Sequence, residues 1–302
     1  MNQHENNPEP SNPLGMDGIE FVEYATSEPL ALGAILERMG FMQTARHRSR
    51  EVALYRQGGM NIIVNADPES WLSVGSDVQS TVLSGIALRV RDANHAYRHA
   101  TGLGAWPIPT RAGAMELNIP GVHGAGGSVI YFVDRYTDFS IYDVDFKPLP
   151  QLPDMPAGLN LAAAPAPIAG MHFFGVVQSV RRDRSQQWVD FYQQLMGFRV
   201  LPEGRYFGIL PKGTLLESPC RKFYLQLIEP PEGGDDVQWE EELIRLGLGT
   251  PDVAAATAEL VRRGVVFVDR QPVQPSEKGA LTHLFRGGVS FELVKSHLEN
   301  TR

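Results

Sequence analysis

The sequence predicts an α+β fold in which one short unit, a strand, a helix and about three further strands, occurs four times and pairs into two domains. Three observations predict it. The 302-residue length suits two domains, each able to bury its own core. A short apolar strand recurs four times ahead of a helix, and each of those helices is closed by a glycine.

The opening strands are read at residues 18–24, 85–90, 170–176 and 243–248. The helices that follow end at Gly40, Gly104, Gly197 and Gly264, which lack the Cβ that penalises a left-handed C-terminal residue. Segments 36–41 and 193–198 both finish in Met-Gly-Phe, so the first and third units are near copies at that point. Asp92 is placed to cap the second helix, and Thr250 followed by Pro251 to cap the fourth. Beyond the helices, residues 52–56, 61–65 and 222–228 carry strand patterns. Units one and two then form an N-terminal domain over 18–146, and units three and four a C-terminal domain over 170–302. Residues 1–17, rich in Asn, Glu and Pro, read as a flexible tail, and 147–169, rich in Pro and Ala, as a linker.

Composition narrows the partners. A formal charge of −8 without a dense Lys/Arg stripe argues against nucleic acid and anionic lipid and for a small molecule, with homo-oligomerisation left open. The lone Cys220 can form no intrachain disulfide and reads as a buried small hydrophobe. Residues 1–14 lack the apolar run of a signal peptide, and the apolar segment 158–171 is interrupted by Pro165 and Pro167. That segment is also shorter than the roughly 20 residues needed to cross a bilayer. A cytoplasmic, soluble protein is the expectation. Gly124, Gly126 and Gly127 precede no helix, and no Gly-x-Ser-x-Gly elbow occurs, so phosphate-loop and serine-hydrolase chemistry find no support.

Several stretches carry a family resemblance: 13–24, 47–58, 115–120 with 124–127, and 131–136 with 141–146. Together with the fourfold unit they resemble the bacterial 4-hydroxyphenylpyruvate dioxygenases, members of the vicinal-oxygen-chelate (glyoxalase-like) superfamily. The resemblance implies two vicinal-oxygen-chelate domains, each with two βαβββ units. It also implies an iron(II) enzyme, or one using another divalent metal, that oxygenates an aromatic 2-oxo acid or a close derivative. In that family the metal and substrate belong to the C-terminal domain, where this sequence matches less well, and a closing C-terminal helix follows the last strand. Here the chain stops at Arg302 and segment 270–281 is short, so a reduced lid is expected.

Such enzymes hold iron with two histidines and one carboxylate on one face of the metal. The resemblance places the first histidine at His172, the third residue of the third opening strand, and the carboxylate at Glu292 on the last strand. Outside that framework, a lone histidine in an apolar strand is ordinarily a hydrogen-bonded core residue. The position of the second histidine is Arg245, which has no lone pair for a metal. Two arrangements are open. In one, Arg245 pairs with Glu292 and the site is catalytically silent and takes a small anion. In the other, a tight hairpin with Gly287 and Gly288 at its tip sets His283 opposite Glu292, and His172, His283 and Glu292 hold the metal. The same hairpin also allows a plain cross-strand His283–Glu292 ion pair.

Overall fold

The computed structural model describes residues 11–68, 81–109, 112, 116–137, 139–150, 164–202, 208–209, 213–230, 239–270 and 273–296. The first unit is β1 (Met16–Thr26), α1 (Pro29–Arg38), β2 (Met42–His47), β3 (Val52–Gln57) and β4 (Met60–Asn65). The second is β5 (Thr81–Val90), α2 (Ala93–Gly102), β6 (Gly121–His123) and β7 (Val129–Val133), followed by a short α3 (Ile141–Asp145) and β8 (Phe146–Pro148). The third is β9 (His172–Ser179), α4 (Ser185–Met196), β10 (Arg199–Val200), β11 (Thr214–Glu217) and β12 (Tyr224–Ile228). The fourth is β13 (Glu242–Thr250), α5 (Val253–Arg262), β14 (Gly279–Leu281) and β15 (Phe291–Lys295).

Two mixed sheets result, ordered β6-β7-β5-β1-β4-β3-β2-β8 and β10-β11-β12-β9-β13-β15-β14. In each, the two opening strands pair antiparallel at the centre, β1 with β5 and β9 with β13. Each opening strand also lies parallel to the last strand of its own unit, as β1 with β4, β5 with β7, β9 with β12 and β13 with β15. This is the α+β, two-domain glyoxalase-like architecture that the repeat predicts.

All four helix-closing glycines adopt the left-handed conformation, with φ of 91° at Gly40, 98° at Gly104, 75° at Gly197 and 84° at Gly264. Asp92 caps α2 by accepting the His95 N–H at 2.8 Å. The fourth cap is a correction: Asp252, not Thr250, accepts the Ala255 N–H at 2.9 Å, and Pro251 stays outside the helix. Thr250 instead donates its hydroxyl to the Ala169 carbonyl at 2.6 Å. Units two and four are also less regular than expected. In unit four, isolated bridge Phe267–Thr282 takes the place of a full strand after the helix.

The expected tail is ordered at its described end, because Leu14 is buried and Asn12 bonds both backbone groups of Met16. Lys147 and Pro148, at the start of the expected linker, continue the N-terminal sheet as β8 beside β2. Residues 1–10, 151–163 and 297–302 lie outside the described residues. A continuous apolar core runs beneath the helices of both domains, while Phe21, Leu54, Ile63, Ala87, Ile141 and Tyr142 line the inside of the N-terminal sheet. No described helix is long and apolar enough to cross a membrane.

Candidate functional site

In the C-terminal sheet, three strands bring three residues level. Gly247 of β13 pairs with Gly175 of β9 on one side and with Glu292 of β15 on the other. Glu292 is only 3% exposed. Its Oε2 lies 3.5 Å from Arg245 Nη1, and its Oε1 accepts the Ile209 N–H at 3.4 Å. Burial pushes the Glu292 carboxyl above the ordinary carboxylate range, against the downward pull of Arg245 and the Ile209 amide. The backbone at Gly208 sits directly on the carboxylate. What remains is a cavity of about 30 Å³ beside Phe174, Gly175, Leu215, Tyr224 and Glu292.

The N-terminal part, residues 10–147, matches the family model described as hydroxyphenylpyruvate dioxygenase, N-terminal. Hemolysin VllY of Vibrio vulnificus is 38% identical over 274 residues, covering 85% of this chain and 73% of that protein. A 4-hydroxyphenylpyruvate dioxygenase of a Pseudomonas species is 37% identical over 258 residues, covering 83% of this chain and 69% of that enzyme. The chain belongs to the 4-hydroxyphenylpyruvate dioxygenase family. In shape it matches a xylose isomerase-like TIM barrel/4-hydroxyphenylpyruvate dioxygenase fusion protein with a TM-score of 0.72 at 23% identity. That match covers 98% of this chain and about half, 51%, of the fusion protein.

Iron of the kind used by the dioxygenase family does not fit the residues gathered here. Gly175 offers no donor, and a side chain there would run into the backbone carbonyl of Tyr224 on the adjacent strand. Arg245 is a permanent cation. One oxygen of Glu292 already accepts from Ile209. Among the described residues, no group of three His, Cys, Asp or Glu side chains could hold a metal ion.

His172 lies further along the sheet, level with Gly249. Its Nδ1 faces the Gly170 carbonyl at 3.2 Å and donates to it, which leaves Nε2 to accept from Ser296 Oγ at 3.0 Å. Burial lowers its pKa, so it is a neutral, hydrogen-bonded core residue apart from Glu292.

His283 is exposed and is not opposite Glu292, a second correction. Leu281 holds that place. The hairpin is closed by Phe285 N–H to Val289 O at 2.8 Å, with Gly287 and Gly288 at φ of 87° and 88°, so its loop is longer than a two-residue turn. Thr282 Oγ1 then accepts the Phe291 N–H at 3.0 Å, and the register slips again. The His283 N–H goes to the Val266 carbonyl at 2.9 Å.

Two positions escaped the sequence reading. One is Gly175, which the strand register rather than the strand's own sequence makes level with Glu292. The other is Glu23 of β1, which pairs with Gly85 as Gly175 pairs with Gly247. Superposing residues 18–24 on 170–176 aligns these two positions, and that was the available signal.

Proposed function

We propose that this family member is silent as an iron oxygenase at its C-terminal site and uses Arg245 there as a fixed charge for a small anion. The Arg245–Glu292 pair carries the reading, because it stands where the resemblance expects a metal-ligand histidine beside the metal carboxylate. The guanidinium has donors to spare: its link to Glu292 is long, at 3.5 Å, and its Nε has no hydrogen-bond partner among the described residues. A cavity of about 30 Å³ suits one or two water-sized groups. An aromatic 2-oxo acid needs far more room.

The experiment is an anaerobic iron(II) titration of the untagged protein, followed by oxygen uptake with 4-hydroxyphenylpyruvate. The expected result is no iron-dependent rise in melting temperature and no uptake above the protein-free rate. A second reading, iron(II)-dependent oxygenation of an aromatic 2-oxo acid, draws on the 37% identity to a protein named 4-hydroxyphenylpyruvate dioxygenase. Saturable iron binding with turnover would restore it.

A further inference from the structure

A larger cavity than the one beside Glu292 lies in the other domain. It has a volume of about 570 Å³ and opens between the N-terminal sheet and the segments around Ile108 and Leu117. That volume falls in the roughly 300–1,000 Å³ range of small-molecule sites. Its walls are mixed, with Phe21, Val52, Ile63, Ile141 and Phe146 on the apolar side and polar groups making up nearly half.

Glu23 lies in the lining and is 8% exposed. Among the described residues of this domain, the other buried carboxylates have guanidinium partners, Glu20 with Arg89 at 2.5 Å and Asp145 with Arg48 at 3.2 Å, as does the half-buried Glu116 with Arg50 at 2.6 Å. Glu23 has only neutral partners: Asn65 Nδ2 donates to Oε1 at 2.8 Å, and Ser84 and Tyr131 add hydrogen bonds. No ion pair to Glu23 is found among the described residues. Burial accordingly pushes its carboxyl above the ordinary range. A glutamine would satisfy a purely structural role at lower cost, since an unpaired buried carboxylate is expensive.

Among the described residues of the lining, the two other carboxyls are internally neutralised, Glu116 by Arg50 in a forked pair and Asp145 by Arg48, so Glu23 is the one left without a counter-charge. His47 is held towards its neutral form, mainly by burial. Next to Glu23, the Phe21 and Tyr131 rings lie 5.7 Å apart, centroid to centroid, and both face the cavity. Aromatic faces beside a carboxylate favour a cation.

We propose that the N-terminal cavity binds a small organic cation, a protonated amine on an aromatic-sized apolar body, with Glu23 as its counter-ion. Glu23 is a binding residue in this scheme; Asn65 and Tyr131 position its carboxylate, and Ser84 donates to its backbone carbonyl at 3.2 Å. The proposal does not depend on the reading of the C-terminal site.

The test is calorimetric titration of the whole protein at neutral pH with three probes of one shape. These are 2-phenylethylamine as the cation, 2-phenylethanol as its neutral counterpart and 3-phenylpropionate as an anion. The amine is expected to bind at least about tenfold more tightly than either of the others. Glu23→Gln is expected to remove that preference while leaving the alcohol's affinity unchanged. The wild-type rank order decides the matter without any variant, so a poorly folding variant does not shelter the proposal. An alcohol or anion that binds as well as the amine would overturn it. So would an amine with no saturable binding up to about 10 mM, or a Glu23→Gln protein that keeps the preference.

Discussion

The two domains share one frame and differ in what fills it. In the N-terminal domain, the level positions across the central strands are Glu23, Gly85 and Val129. In the C-terminal domain they are Gly175, Gly247 and Glu292. Each domain thus keeps one carboxylate, on opposite sides of a central glycine. The C-terminal carboxylate has a guanidinium beside it and backbone laid over it, and its cavity is about 30 Å³. The N-terminal carboxylate has no ion-pair partner among the described residues and borders about 570 Å³. A buried carboxylate with an internal counter-charge is electrostatically closed, whereas one without must either take up a proton or, as proposed for Glu23, meet an external cation. The two proposals together put the binding of an organic ligand in the N-terminal domain, whereas the family resemblance puts the chemistry in the C-terminal one.

The largest expected effect comes from removing the internal counter-charge. Arg245→Met leaves Glu292 buried and unpaired, which should destabilise the fold by about 3–5 kcal/mol. The loss should be smaller in acid. Burial already raises the Glu292 pKa, and without Arg245 it rises further, so the folded state takes up a proton more readily than the unfolded state. The variant's stability therefore falls as pH climbs from the ordinary carboxylate value through the raised one. Urea melts at two pH values measure this, and a pH-independent loss under 1 kcal/mol, on the order of a surface pair, would mean that the two domains do not differ as described.

Next in size is Gly175→Ala. A Cβ there meets the Tyr224 carbonyl across a parallel strand pair, and overpacking of this kind costs about 1–3 kcal/mol. Arg245→His alone should not create an iron site either: it supplies one nitrogen near Glu292, while the histidine of β9, His172, lies level with Gly249 and is engaged by Gly170 and Ser296. An iron(II)-dependent rise in the melting temperature of Arg245→His would contradict this.

How much of this was legible in the sequence depends on the range of the signal. Opening strands and helix-closing glycines are short-range features, and all four left-handed glycines fall where the pattern puts them. The Asp252 cap was missed because Thr250 and Asp252 are both good capping residues two positions apart. Thr250 is instead used to tie β13 to the turn at Ala169. The site positions depend on inter-strand register, which bulges alter. A register shift between Gly247 and Leu248 separates the His172 end of β9 from its Gly175 region, and nothing within β9 announces it. Arg245 and Glu292 do come together, because both lie on neighbouring parallel strands whose alignment follows from the repeat.

In the N-terminal domain, Glu23→Gln should act in the opposite direction to Arg245→Met. The raised pKa of Glu23 means that its ionisation costs folded-state stability as pH rises from the ordinary carboxylate value through the folded one. An uncharged isostere avoids that cost while keeping hydrogen-bonding capacity. The variant should therefore be more stable than wild type at alkaline pH, by on the order of 1 kcal/mol, and nearly equal to it in acid. Thermal melts across pH check this, and lower stability than wild type at alkaline pH would show that the carboxylate has a compensating charge after all.

The smallest expected effect is at His283, and it tests the second-register route to a metal in the C-terminal domain. An exposed side chain whose only described bond is through its backbone amide should change stability by no more than about 0.5 kcal/mol when cut to alanine. If the hairpin could re-register so that His283 came opposite Glu292, Leu281 would have to leave that place and the Thr282 side chain would lose the Phe291 amide it holds at 3.0 Å. Iron(II) binding would have to outweigh both losses, and mass action would then show it as a metal-dependent stabilisation. Wild type and His283→Ala should have the same melting temperature with and without iron(II) under anaerobic conditions. A shift present in wild type and lost in His283→Ala would mean that this domain assembles a metal site in a second register, and the contrast between a closed and an open carboxylate would no longer hold.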